Sequence, residues 1–437
     1  MAEHKKVARS LKFVMITTFY PPYSFGGDAN YVRMFAHALA GLGHTVDIIY
    51  DADAYRILAE GPDPEPVDEP PGVTVHRLES STPLLSCLAT QQLGYPLFNA
   101  GKIKRILDKG QYDVIHYHNI SLVGGPGIWA FGNGIKMYTA HEHWLICPTH
   151  VLWRHNKELC TERECLRCVF TYKRPPQIWR STGLIERNAK HIDIFFALTR
   201  FSANKHKEYG FKPKMEVLPS FLPDTLPNTR TDTSMASESG NYFLFVGRLE
   251  IIKGLQDVIP VFDNDSPAEL WIAGTGDYEP ELRKLAAGKQ KVKFLGWKSE
   301  QELKSIYQHA IAVLTPSLCY EVFPLVIIEA FRESKPIITR DLGSYPELIE
   351  QSNAGLIFST ENELKEAIKT LESDAALRER MGKAGRRAYE ERWCQDAVLP
   401  LYFKMIRQAA VRNNAAEIVQ TLDALLVNDL QAEDSAT

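Results

Sequence analysis

Short apolar runs, each about the length of a buried strand, alternate with helically spaced patterns twice along this chain. In the first half the runs fall at 11–17, 45–50, 73–78, 113–117, 135–140 and 192–198. In the second they fall at 242–246, 268–273, 291–295, 311–315, 336–340 and 356–358. Continuous apolar strands suit a parallel sheet buried on both faces. The alternation with helices predicts an α/β chain with two such sheets, and 437 residues are enough for two cores. The expected layout is a first domain over 1–222 with a cysteine-rich insertion at 144–180, then a polar Ser/Thr-rich linker at 223–240. A second domain follows over 241–395, then a helix at 396–412 and a loosely attached tail at 413–437. Ser299 and Glu302 have the spacing of a capping box, and Ser202 reads as the cap of the helix carrying Lys205 and Lys207.

A formal charge of −4 gives no sign of a nucleic-acid partner, and no apolar run reaches a membrane span. The start is basic (Lys5, Lys6, Arg9), but the apolar run behind it is short and lacks a small-residue cleavage site. It therefore reads as a first strand and not a leader. Seven cysteines, an odd number in a large chain, do not look like a secreted disulfide framework. The expected compartment is the cytoplasm, with contact to the inner face of a membrane as an option.

The stretch Glu321-Val322-Phe323-Pro324-Leu325-Val326-Ile327-Ile328-Glu329-Ala330 carries the densest chemistry. Pro324 suits the first turn of a helix. The helix is apolar nearly all round, so it should be buried, and Glu329 then needs hydrogen-bond donors. A ligand diol would supply them, as would an Arg or Lys elsewhere in the chain. Glu321 lies just before the helix, where free backbone N–H groups suit an anion. Arg248 and Lys253 follow the first strand of the second half and suit phosphate oxygens. Gly26 and Gly27, between a strand and a helix, let backbone approach a ligand. His141 ends a strand, where ligands of parallel sheets collect. His116 and His118 also end a strand and read more readily as strand-end histidines bonded to backbone. The pairs Asp51/Asp53 and Asp263/Asp265 read as solvated turns.

The sequence Phe245-Val246-Gly247-Arg248-Leu249, then Lys253-Gly254, then Ile272-Ala273-Gly274-Thr275-Gly276-Asp277, then Glu-x7-Glu, resembles glycosyltransferase family 4. The resemblance covers roughly residues 10 to 410. It implies the GT-B fold, two Rossmann-like domains facing across a cleft, with the last helix crossing back onto the first domain. It implies a retaining hexosyltransferase that takes a nucleotide-diphosphate sugar and passes the sugar to a sugar or lipid-linked hydroxyl in glycan biosynthesis. Carried over residue by residue, Glu329 meets the ribose diol, Glu321 the transferred sugar and His141 the sugar near its reacting carbon. Arg248, Lys253 and the backbone at Phe323, Pro324 and Leu325 meet the diphosphate, and Gly26 and Gly27 face donor phosphate or acceptor. No catalytic metal is implied. Where the family commonly has glycine, this chain has Val322 and Pro324. A nucleotide-sugar epimerase, a phosphorylase and a non-catalytic sugar-nucleotide binder are the alternatives.

Cys147, Cys160, Cys165 and Cys168 have the spacing Cys-x12-Cys-x4-Cys-x2-Cys. Four thiolates select zinc, and a closed four-thiolate site would be structural. Four free thiols packed in an insertion is the other reading. The basic stretch Lys173, Arg174, Trp179, Arg180, Arg187 and Lys190 reads first as a solvated face and second as a meeting point for an anionic lipid.

Overall fold

The computed structural model describes residues 9–59, 61–224 and 240–434. Lys5, Lys6 and nearly all of the linker expected at 223–240 lie outside the described residues. The strands of the first half are β1 (Lys12–Ile16), β2 (Thr45–Asp51), β3 (Val73–Leu78), β4 (Val114–Tyr117) and β5 (Ile135–Ala140). A short hairpin of β6 (Trp153–Arg154) and β7 (Glu158–Leu159) precedes β8 (Ile194–Ala197) and β9 (Met215–Val217). Those of the second half are β10 (Tyr242–Val246), β11 (Glu269–Ala273), β12 (Val292–Gly296), β13 (Ala312–Thr315), β14 (Ile337–Arg340) and β15 (Gly355–Phe358). Every expected run became a strand, with bounds shifted by no more than two residues. The half-exposed β9 was not expected, because Met-Glu-Val gives no apolar run.

Two parallel sheets result, ordered β3-β2-β1-β4-β5-β8-β9 and β12-β11-β10-β13-β14-β15. Each grows outward in both directions from its first strand. The crevice at the carboxyl ends of β1 and β4, and of β10 and β13, is therefore a topological switch point. Alternate residues of β1 feed opposite cores: Phe13 and Met15 pack on one face, Val14 and Ile16 on the other. This explains why its sequence shows no polar alternation.

The helix Gln395–Arg412 belongs to the core of the first sheet. Leu399, Tyr402, Phe403 and Ile406 are buried there, and the Tyr402 ring lies 4.9 Å from that of Phe35. Tyr402 also shares a 3.0 Å hydrogen bond with His116 Nδ1, whose Nε2 meets Thr139 Oγ1 at 2.8 Å. His116 is thus a core histidine. The tail is not loosely attached: the helix Ala416–Asp434 buries Ile418 and Leu422 in the same core. Their spacing of four residues puts both on one helical face.

Three further expectations change. Thr199, not Ser202, caps the helix Arg200–Glu208: its hydroxyl accepts from the Ser202 N–H at 3.1 Å. Arg180 does not lie on a solvated face. Its guanidinium packs 4.6 Å from the Trp179 ring and donates to the carbonyls of Trp144 (2.6 Å) and Leu145 (3.3 Å). Asp51 and Asp53 are buried and not solvated. Asp51 caps the helix Ala52–Leu58 by accepting from the Ala54 N–H, and Asp53 accepts from the Ser80 N–H. Asp263, by contrast, accepts from Ser266 and Asp265 in an exposed turn.

Burial raises the Asp51 carboxyl to about 7, against the opposing hydrogen bond from Ala54. An unfolded Asp titrates near 3.9. The folded chain therefore binds the extra proton between about pH 4 and pH 7, and stability falls as pH rises through that window. Asp51→Asn keeps the cap and abolishes the titration. Urea unfolding at pH 5 and pH 7 should show the parent losing about 2 kcal/mol more than the variant over that interval. Parallel pH profiles for the two proteins would refute the assignment.

Candidate active site

The carboxyl ends of the two sheets enclose a cavity of about 320 Å³. From the first half it is lined by Gly27, Asp28, Tyr31 and His141, and from the second by Arg248, Lys253, Ser317 and Glu321. Phe323, Pro324, Leu325 and Val326 complete its wall. Eight of the residues singled out from the sequence thus meet in one place. Gly26 and Glu329 are not in the lining. Gly26 is the N-cap of the helix Gly27–Gly41, one residue behind the wall.

Lys253 follows β10 on a tight loop that Gly254 makes possible. Its φ is +76°, and a Cβ there would stand 2.1 Å from the Pro316 carbonyl oxygen. Lys253 Nζ donates to Glu321 Oε1 at 2.6 Å, and the same oxygen accepts from Ser317 Oγ at 3.1 Å. Burial works against both charges, but each partner outweighs it for the other. Glu321 is held below the usual carboxylate range and Lys253 above the usual amine range. The pair is therefore ionised at neutral pH. Arg248 stands at the exposed lip of the cavity, paired with Glu250 at 2.9 Å.

The loop carrying Glu321 is held from both halves. His143 Nε2 lies 3.2 Å from the Tyr320 carbonyl, and Thr199 Oγ1 donates to the Val322 carbonyl at 3.1 Å. Ser344 Oγ donates to the Glu321 carbonyl at 2.8 Å. Val322 is buried, so a larger residue than glycine is accommodated by packing. Pro324 is the N-cap of the helix Leu325–Arg332 and not a first-turn residue. Leu325 and Val326, whose N–H groups have no partner within the helix, line the cavity wall. The first intrahelical bond runs from the Ile327 N–H to the Pro324 carbonyl at 3.0 Å.

Glu329 finds neither Arg nor Lys as its direct partner. Tyr307 donates its hydroxyl to Glu329 Oε2 at 2.6 Å, and burial raises the carboxyl above its ordinary value. Tyr307 gave no signal in the sequence because it sits among ordinary helical apolar positions.

His141 packs 5.6 Å from the Tyr31 ring, and its Nε2 is 2.9 Å from His118 Nδ1. Burial lowers both imidazoles below their ordinary value, so both are neutral at pH 7. His118, expected to bond backbone at the strand end, bonds the His141 ring instead and so orients it. Asp28 raises the His141 value in part and accepts from Asn119 at 3.4 Å. Asp28, Tyr31, Ser317 and His118 are the site neighbours that motif spacing did not reveal.

The four cysteines of the insertion ring one small void of about 20 Å³. All are free thiols. Cys168 Sγ accepts from the His155 N–H, and Cys147 shares a 3.2 Å bond with Thr149. Burial raises the thiol of Cys160 to about 11. Among the described residues no group of three or more His, Cys, Asp or Glu is arranged to hold a metal ion. The thiols are brought together, yet the zinc reading gains no coordination geometry.

Two protein-family models match the chain. Glycosyltransferase Family 4 matches residues 25–224, and Glycosyl transferases group 1 matches residues 231–388. An uncharacterised glycosyltransferase of Methanocaldococcus jannaschii is 25% identical over 79% of this chain and 84% of its own length. Glycogen synthase of Mycobacterium tuberculosis is 24% identical over 86% of this chain and 89% of its own. Among solved structures, sucrose-phosphate synthase from Thermosynechococcus elongatus superposes with a TM-score of 0.69 at 18% identity. It covers 92% of this chain and all of its own. HepE of Anabaena, in complex with UDP and glucose, superposes with a TM-score of 0.63 at 18% identity over 92% of this chain and 99% of its own. With two parallel-sheet halves meeting at their switch points and both halves matched, the chain belongs to the family 4 glycosyltransferases of the GT-B fold, enzymes that transfer a sugar.

Proposed function

We propose that the cavity binds a nucleotide-diphosphate sugar and passes its sugar, with retention at the anomeric carbon, to the hydroxyl of a sugar or lipid-linked acceptor. The observation that carries this reading is the meeting of Lys253, Arg248 and the helix start at Leu325 and Val326 at one wall of the cavity. They form a preorganised positive site for the charge that develops on a departing diphosphate. The UDP in the Anabaena structure of similar fold supports the same donor class. Donor binding then falls to the second half of the chain and acceptor binding to the first.

Glu321 is engaged by Lys253, so it suits holding hydroxyls of the transferred sugar better than attacking its carbon. Front-face attack guided by the leaving phosphate fits that arrangement. Neutral His141, oriented by His118, faces the sugar end and offers a hydrogen bond without a competing charge. Glu329 stands behind the cavity wall with Tyr307 on Oε2, and its other carboxyl oxygen, Oε1, is the one assigned to a ribose hydroxyl. Free cysteines throughout the described chain support work in the cytoplasm. Among the described residues no helix is long and apolar enough to cross a membrane.

Calorimetry with UDP- and GDP-sugars is the direct test. Glu329→Ala should weaken nucleotide binding by about 1.5–3 kcal/mol, the worth of a hydrogen bond to a charged group. His141→Ala should lower turnover more than affinity. The reverse pattern would show the two roles to be misassigned.

Turnover should persist in EDTA, because the cationic wall supplies the charge stabilisation that a divalent ion would otherwise give. Activity abolished by brief chelation and restored only by magnesium or manganese would overturn this.

For the cysteines we propose one structural zinc, supported by the single void that all four thiols share. Elemental analysis of protein purified without chelators should find about one zinc per chain. Zinc-free protein that is fully folded and active rules it out.

A further inference from the structure

The helix Pro83–Leu93 is inside out. Its polar Ser86 and Thr90 are buried, while Leu84, Leu85 and Leu88 face solvent. Leu93, and Leu97 and Phe98 in the turn that follows, extend this apolar face. The segment 175–178 lies alongside. Gln91 Nε2 donates to the Pro175 carbonyl and Gln92 Nε2 to the Pro176 carbonyl, both at 2.7 Å, and Trp179 Nε1 donates to the Gln91 carbonyl at 3.0 Å. This brings Ile178 to the same face, with Phe170 at the end of the helix Cys165–Thr171 just before it. These eight side chains are between 41% and 65% exposed, and it is their gathering on neighbouring segments that marks an interaction surface.

Within the stretches that carry these side chains the charge has one sign, though Glu164 at the edge pairs with Arg167 at 3.4 Å. Residues 80–107 and 165–185 contain no Asp or Glu in a chain whose net charge is negative. They contain Lys102, Lys104, Arg105, Arg167, Lys173 and Arg174, all exposed. Lys102, Arg105, Lys173 and Arg174 take part in no ion pair among the described residues. The carboxylate just ahead of the helix, Glu79, is already held by Arg56 at 2.9 Å and Arg77 at 3.1 Å.

We propose that this face docks the protein onto an anionic lipid bilayer, with the leucines of Pro83–Leu93 and Ile178 entering the headgroup boundary and the basic residues meeting lipid phosphates. An apolar ridge flanked by unpaired Lys and Arg is the pattern that binds such a surface without spanning it. The ridge is tied to the chain that follows the His141 strand. Arg180, two residues beyond Ile178, fastens the segment to the Trp144 and Leu145 carbonyls just after His141. Resting on the donor assignment above, docking here would present a lipid-borne hydroxyl to the His141 side of the cavity. The docking itself needs no donor and is tested without one.

Co-sedimentation of the full chain with vesicles of phosphatidylglycerol and phosphatidylcholine in equal parts, and with pure phosphatidylcholine, tests the proposal. The full chain should pellet with the anionic vesicles, weakly with the neutral ones, and lose binding as salt rises. Leu84→Ser with Leu85→Ser and Leu88→Ser, and separately Lys173→Glu with Arg174→Glu, should each weaken partitioning about tenfold or more. Both variants should keep the parent's melting temperature and nucleotide binding, which separates lost docking from lost fold. No binding to anionic vesicles by the parent overturns the proposal and leaves a protein partner for this face. Binding that both variants retain overturns the assignment of the face. Either failure leaves the donor reading intact, since nucleotide binding is measured separately.

Discussion

The ion pair between Lys253 and Glu321 is the constraint on which the site depends. Both groups sit where burial opposes charge, and each remains charged because the other is 2.6 Å away. Removing one partner of such a pair leaves the other as an uncompensated charge in a largely buried place. The pair therefore ties the loop after β10 to the loop after β13, the two strands that flank the switch point of the second sheet. The first half reinforces the same loop through His143 and Thr199. The Glu321 loop is thus tied to both halves, and Lys253, with three donors and one spent on Glu321, can meet a ligand without releasing the loop.

How much of this was legible in the sequence follows from where the physics is local. Buried parallel strands announce themselves as unbroken apolar runs, so β1 and β10 were readable to within a residue of their ends. The Ser299–Glu302 box was readable because both partners of a cap lie within one turn. Eight of the ten residues expected around the donor do line one cavity, since motif spacing places residues at strand ends and strand ends converge. What escaped was long-range. Tyr307 reaching Glu329 and His118 reaching His141 each join residues more than twenty positions apart, and nothing at either position signals the other.

The misread polar residues share a cause. Asp51, Asp53 and Arg180 were taken for solvated groups because charged residues usually are. Asp51 and Asp53 are buried and Arg180 is half-buried, and each bonds to backbone: Asp51 to the Ala54 N–H, Asp53 to the Ser80 N–H, and Arg180 to the Trp144 and Leu145 carbonyls. Short-range composition cannot distinguish a charge that ends a helix in solvent from one that ends it inside a core. The leucines of Pro83–Leu93 are the mirror case, apolar residues on an outward face, which sequence periodicity would assign to the interior.

The helix Gln395–Arg412 carries a consequence for synthesis. The first sheet leaves the ribosome before the second, but its core includes Leu399, Tyr402, Phe403 and Ile406, which are made only after the whole of the second sheet. Domains generally fold as units in the order they emerge. Here the first unit must wait with its Phe13–Phe35 face uncovered until the second has been translated and the returning helix can settle on it. The second half, whose sheet closes on its own helices, can complete its core before the first does. The chain is therefore built to finish in reverse, and a nascent protein cut short before residue 395 would expose an apolar face that the whole protein never shows.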